Sequence, residues 1–291
     1  MPGEKSARRR GVLLVLAATV LWSMAGLFAR LVGHLDVWTV LGWRALLGSA
    51  SISVVGLIEW RKGRLDQPFG FGPLSPVVAL LAMIAISAYT ASVMTTTIAD
   101  VMIIYATLPF VAAAIGYVVN REEVSTRTLI ASGVALAGIA LMVANGLGSG
   151  RLLGQALSAL MTVSFAGMVV LQRRQPGASM IAVNAIGALG SGLFGLLNSP
   201  RPPLDIYDMA VLFVFGLTTI GLSFVLFMEG AKAIPSAEAG LISLLDVVLG
   251  PIWVFLAFGE NPGAATVLGG AIVLGAAVWR MAPDLAREQV F

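Results

Sequence analysis

The sequence has no cysteine and a single histidine, His34. Disulfides, thiolate metal sites and cysteine nucleophiles are therefore excluded, and no histidine-rich metal site can be built. Charge is scarce as well. Only 11% of the residues are Asp, Glu, Lys or Arg, against about 25% in an ordinary soluble domain. A soluble protein so composed would lack the polar side chains to cover its surface. There is no Gly-x-Ser-x-Gly elbow and no phosphate-cradling glycine loop ahead of a lysine, so the chain carries no motif for serine hydrolysis or ATP hydrolysis. No cofactor or metal is expected.

What the chain has in place of these is apolar length. Hydrophobic residues make up 58% of it, with 33 glycines suited to close helix packing. Crossing the hydrocarbon takes about 20 apolar residues as a helix, and stretches of that length recur. They predict ten spans, at 11–32, 37–58, 74–95, 98–118, 127–145, 151–172, 178–198, 208–229, 235–257 and 264–281. The first follows Arg8, Arg9 and Arg10, but its apolar run is too long for a signal peptide and no cleavage site follows. The fold class expected is an all-α polytopic membrane protein.

Charge in the connections sets orientation. Of the 18 Lys and Arg, 14 fall on one side of the alternating spans. Arg30, Arg151 and Arg201 fall on the other, and Arg44 lies within the second span. This bias places both termini in the cytoplasm and agrees with an even number of spans.

The halves resemble each other. Ser23-Met24-Ala25-Gly26 aligns with Ser164-Phe165-Ala166-Gly167, Ala99-Asp100 with Ala237-Glu238, and Gly133 and Gly138 with Gly270 and Gly275. Five spans per half is an odd count, so the second copy enters the membrane from the opposite face. The expectation is two inverted five-helix repeats, 11–145 and 151–281, with a binding site near the midplane between them.

Residues 230–262, GAKAIPSAEAGLISLLDVVLGPIWVFLAFGENP, resemble the second repeat of the EamA-type drug/metabolite transporter superfamily. Residues 99–110, ADVMIIYATLPF, resemble its first-repeat counterpart, with Pro109 at the family's proline. Arg44 sits where many members carry an arginine. The family often has Glu-Pro in the middle of span 9, where this chain has Asp246-Val247, and Pro251 follows one turn later. The resemblance implies export of small metabolites across a bacterial-type inner (plasma) membrane by alternating access. The branch exporting amino acids, aromatic ones included, looks similar; other branches move sugars, nucleotide sugars or cationic drugs. It also implies that spans 1, 3, 4, 6, 8 and 9 line the cavity.

Charges inside a bilayer are costly and are functional suspects. Asp246 falls near mid-bilayer, where it is either a proton carrier or a structural acid. Glu238 and Asp100 fall near helix starts, where a bland reading, an acid near water favoured by the helix dipole, is open to both. Arg44 reads as neutralising a buried acid or capping helix ends. Trp22, Tyr89 and Tyr105 fall inside spans, away from the interfaces where such residues collect. With Ser164, Ser223 and Ser243 they are the candidate substrate contacts, ordinary packing being the rival reading. Gly240, Gly250 and Pro251 are candidate hinges. Gly187, Ser191 and Gly195, at four-residue spacing, read as a packing face, and His34 receives no role.

The expected partners are a small-molecule substrate, an amino acid or similar metabolite, and the lipid bilayer. No nucleic acid is expected, and the chain is compatible with a monomer or a homodimer. An intramembrane enzyme and a channel are the rival classes.

Overall fold

The computed structural model describes residues 2–61, 70–121, 125–146, 151–172, 174–175, 177–231, 233–234, 239 and 242–288. Among them there is helix and no strand. In hydrocarbon, a helix satisfies its own backbone hydrogen bonds, whereas an open sheet edge cannot. The helices are α1 (Pro2–Ser23), α2 (Ala25–Leu31), α3 (Val37–Arg61), α4 (Ser75–Thr95), α5 (Ile98–Tyr105), α6 (Leu108–Asn120), α7 (Thr126–Gly146), α8 (Leu152–Gln172), α9 (Met180–Asn198), α10 (Ile206–Gly216), α11 (Ser223–Ala231), α12 (Leu245–Phe258) and α13 (Ala264–Glu288). A π-helical segment, Leu217–Leu222, joins α10 to α11.

Seven helical stretches among the described residues are long and apolar enough to cross a membrane, and three shorter apolar helices accompany them. The outer surface agrees with that reading. Val118, Leu136, Leu197 and Leu256 are each at least 65% exposed, a distribution suited to lipid rather than water. The interior holds the polar side chains, Arg44, Asp100, Gln155 and Asp246 among them.

Where continuous spans were expected at 98–118 and 208–229, the structure has interruptions. The first breaks at Ala106-Thr107, just before Pro109, whose missing N–H and ring favour the first turn of a new helix, α6. The second widens into the π segment. The described part of span 9 runs continuously from Leu245 through Pro251. The candidate Glu238 and the candidate hinge Gly240 lie outside the described residues.

Packing pairs helices from the two halves: α3 lies along α9, α4 along α8, α7 along α13 and α1 along α11. Small residues set the closest approaches. A Cβ on Gly195 would sit 2.5 Å from the Gly42 amide nitrogen, and one on Gly187 2.6 Å from the Ala82 methyl. Ser191 donates to the Met83 carbonyl at 2.9 Å. The Gly187-Ser191-Gly195 face therefore wedges α9 between α3 and α4, as its spacing predicts.

Two opposite faces follow. On one, the start of α1 meets the chain after α11 (Gly11 with Ala233) and the end of α3 meets the start of α9 (Gly56 with Ile181). There too Arg127 at the start of α7 donates to the Trp279 carbonyl near the end of α13. The other face holds the ends of α2, α4 and α12 and the starts of α5, α8 and α13, tied by the ionic contacts described below.

Candidate functional site

Arg44 projects from α3 into the interior and is 4% exposed. Its Nη1 donates to Thr90 Oγ1 on α4 at 2.8 Å, and its Nη2 to Thr219 Oγ1 in the π segment at 3.2 Å. The guanidinium carbon lies 4.4 Å from the Phe215 ring centroid and 5.3 Å from that of Tyr89. Arginine's planar cation suits such stacking. Among the described residues no carboxylate reaches it within salt-bridge distance. The expected role of neutralising a buried acid is thus not seen among them; hydroxyls and aromatic faces hold this cation instead.

Around it stand the other candidates. Trp22 on α1 donates its indole N–H to the Thr219 carbonyl at 3.1 Å, and its ring meets that of Phe227 on α11 at 5.3 Å. Tyr105, at the end of α5, meets Phe165 on α8 at 6.2 Å. Asp246, in the first turn of α12, is 8% exposed and lies within electrostatic reach of both Tyr89 and Tyr105. Ser164 and Ser223 are buried. Ser243 donates back to the Ala239 carbonyl at 2.9 Å. Gly250 faces Met102, Ile98 and the Ser23 carbonyl, and a Cβ there would meet them at 3.4–3.7 Å, ordinary contact distance.

Three buried polar atoms in this region have no hydrogen-bond partner: Arg44 Nε, Ser223 Oγ and Asp246 Oδ1. Buried polar groups are nearly always paired, and leaving one unpaired costs about 1–3 kcal/mol, more when it is charged. A cationic donor, a hydroxyl and a carboxyl oxygen are thus left open in the interior.

A second cluster links helix ends on one face. Arg30, at the end of α2, pairs with Glu260 at 2.7 Å. It also donates to the carbonyls of Val93 at 2.5 Å and Thr96 at 2.9 Å. Glu260 in turn accepts from the Ile98 amide at the start of α5 at 3.0 Å. One layer inward, Asp100 is fully buried. It accepts from Thr96 Oγ1, Gln155 Nε2 and Thr266 Oγ1 at 3.1, 3.1 and 3.2 Å, and Arg151 lies 3.4 Å away. The expectation of a helix-end acid near water is corrected here: Asp100 is at a helix start, but four neighbouring side chains replace the water. A groove of about 560 Å³ opens on this same face, lined by Trp43, Leu196, Arg201 and Leu204 among others. None of the interior candidates lines it, and its walls are mostly apolar.

A model of the EamA-like transporter family matches the chain twice, over residues 9–144 and 152–281. The chain belongs to the EamA-like transporter family. It is accordingly a membrane transporter, and the two matched stretches together span nearly its whole length. One solved structure, described as "Crystal structure of protein", matches with a TM-score of 0.68 at 18% identity, covering 96% of this chain and 99% of that one. At that identity the likeness concerns the fold. No curated protein gives a significant match.

In this EamA-like chain, sequence reasoning missed the side chains that hold the candidates in place. Thr90, Thr219 and Phe215 hold Arg44, yet each reads as ordinary membrane sequence. Arg30 and Glu260 stand 230 positions apart in sequence, and only the fold joins them. His34 was given no role, yet its Nε2 lies 3.0 Å from Asp208 Oδ1 at the start of α10.

Proposed function

We propose that this chain is a secondary transporter that exports small metabolites, foremost amino acids of varied side chain, across a bacterial-type inner membrane. The observation that carries the reading is that buried Arg44, Ser223 and Asp246 each keep a polar atom unpaired, with the Arg44 guanidinium against Tyr89 and sharing Thr219 with Trp22. An amino acid offers a carboxylate to the guanidinium, an ammonium to the carboxylate and an apolar side chain to the aromatic rings. Charge-assisted hydrogen bonds of this kind are the strong ones.

The mechanism we favour is alternating access between two inverted five-helix repeats, 11–145 and 151–281, with ten spans and both termini in the cytoplasm. The double family match supports the duplication. So does the break at Ala106, whose counterpart in the second half, at the offset that aligns Asp100 with Glu238, is the turn at Leu244. The cross-half helix pairs support it too, since exchanging the halves turns α4–α8 into α11–α1 and leaves α3–α9 and α7–α13 as themselves. On this reading the Arg30–Glu260 face is the closed, non-cytoplasmic one.

The test is counterflow in liposomes with a panel of labelled amino acids, with and without a pH gradient. Saturable exchange supports the carrier and names the substrate class. Failure of every amino acid, with exchange of a sugar, a nucleoside or a cationic drug, overturns the amino-acid reading. Unitary current steps in a planar bilayer would overturn the carrier itself.

A further inference from the structure

The π segment between α10 and α11 has a consequence for the interior cluster. At its end the Ser223 amide donates five residues back, to the Thr218 carbonyl. From Ser223 onward the chain is α-helical again, with bonds that span four residues. A change from five-residue to four-residue bonding passes over one carbonyl. Here it is that of Thr219, and the indole N–H of Trp22 occupies it at 3.1 Å. In a regular α-helix this carbonyl would be shared with the helix's own amide ladder; here the indole has it alone.

The same residue's hydroxyl serves Arg44. Thr219 Oγ1 accepts from Nη2 at 3.2 Å and donates to the Phe215 carbonyl at 2.6 Å, while the Phe215 ring lies under the guanidinium. Thr219 is 6% exposed. The wide turn is seated firmly against α3. A Cβ on Gly216 would come within 2.5 Å of the Arg44 carbonyl oxygen, one on Gly221 within 2.6 Å of Ser51 Cβ, and one on Gly48 within 2.6 Å of Ile220. The turn is therefore flanked by close approaches to α3, Gly216 against its backbone and Gly221 and Ile220 against Ser51 and Gly48.

We infer that Thr219 is the positioning residue of the interior site, holding the Arg44 guanidinium with its hydroxyl and the Trp22 indole with its carbonyl. It belongs to the second half of the chain, and both groups it holds belong to the first. A movement of α10–α11 against α1 and α3 would act on the cation and the aromatic ring together. The inference rests on the reading of Arg44 and Trp22 as substrate contacts, and its test has one arm that does not.

The first arm uses the full chain in liposomes with labelled L-phenylalanine as probe. Thr219→Val should raise KM about tenfold, the size of one hydrogen bond to a charged group, with a smaller change in kcat. Thr219→Ser, which keeps the hydroxyl, should stay within about twofold of the parent. A fall in kcat alone, or equal effects of Val and Ser, would overturn the inference. The second arm needs no substrate. The protein is made with 15N-labelled arginine, and the Arg44 side-chain resonances are assigned by their loss in Arg44→Lys. Thr219→Val, which removes the hydroxyl bonded to Arg44, should shift those resonances and Thr219→Ser should not; unmoved resonances in Thr219→Val overturn the positioning role. If Arg44→Lys and Trp22→Phe leave phenylalanine exchange unchanged, the substrate-site reading fails, and the arginine resonances still decide the role of Thr219.

Discussion

Arg30 and Glu260, 230 positions apart in sequence, meet at 2.7 Å where α2 ends and the chain leaves α12. Their side chains are 21% and 22% exposed, so the pair lies at the edge of water, mostly shielded from it. On the alternating-access proposal it breaks each time this face opens. Glu260→Gln should therefore loosen this face without unfolding the protein. The absence of cysteine makes the check direct: spin labels at Gly33→Cys and Asn261→Cys should give a longer or broader distance distribution in Glu260→Gln than in the parent. Identical distributions would mean that the pair is ornamental to the cycle.

Asp100 lies one layer deeper and behaves differently. It is fully buried with three side-chain donors and Arg151 around it, and its own amide donates to Thr97 Oγ1 at 3.2 Å. Removing one partner of a buried charged cluster costs about 3–5 kcal/mol. Asp100→Ala should lower the unfolding midpoint in detergent strongly, and far more than Glu260→Gln does. Comparable shifts for the two would show that the inner cluster is no more essential than the outer pair.

The contrast between these acids explains what the sequence could and could not convey. Apolar length and the scarcity of charge make the helical membrane class legible, because the bilayer imposes both directly on composition. Spacing sufficed for Gly187, Ser191 and Gly195, since a packing face is local to one helix. Arg44 and Asp246 stood out because a charge inside an apolar run is visible without any fold. Their surroundings were not visible. Thr219 matters because a π turn frees its carbonyl, and nothing in Leu-Thr-Thr-Ile-Gly-Leu announces a π turn. Asp100 looked solvated because helix starts usually are; Gln155 and Thr266, which enclose it, come from distant parts of the chain.

Two glycines test the packing. A Cβ on Gly195 would press on the Gly42 backbone nitrogen at 2.5 Å, whereas one on Gly133 in α7 meets nothing within 4 Å. Backbone cannot yield as a flexible side chain can, so Gly195→Ala should destabilise the α3–α9 pair by about 1–3 kcal/mol. Gly133→Ala should be neutral or stabilising by up to about 1 kcal/mol, because alanine is the better helix former. Thermal unfolding of both variants in one detergent decides it. Equal losses would mean that α7 packs against something at Gly133, such as a second copy of the chain.

The last prediction concerns Asp246, whose Oδ1 has no partner although the residue is buried. An unpaired carboxylate is expensive in such a place, and either a proton or a bound cationic group would relieve it. The two roles separate in Asp246→Asn, which keeps the shape and can still hydrogen-bond but carries no charge and takes up no proton. If Asp246 carries the proton, the variant should still exchange amino acid for amino acid, with a KM within a few-fold of the parent, but exchange should no longer respond to an imposed pH gradient. If Asp246 instead binds the substrate's ammonium, KM should rise about tenfold or more, the loss expected for one charge-assisted contact, and any response to the gradient should persist. Counterflow at equal and unequal pH on the two sides of the same vesicles reads both quantities at once. A variant indistinguishable from the parent in both would remove Asp246 from the site and leave Arg44 as its one buried charge among the described residues.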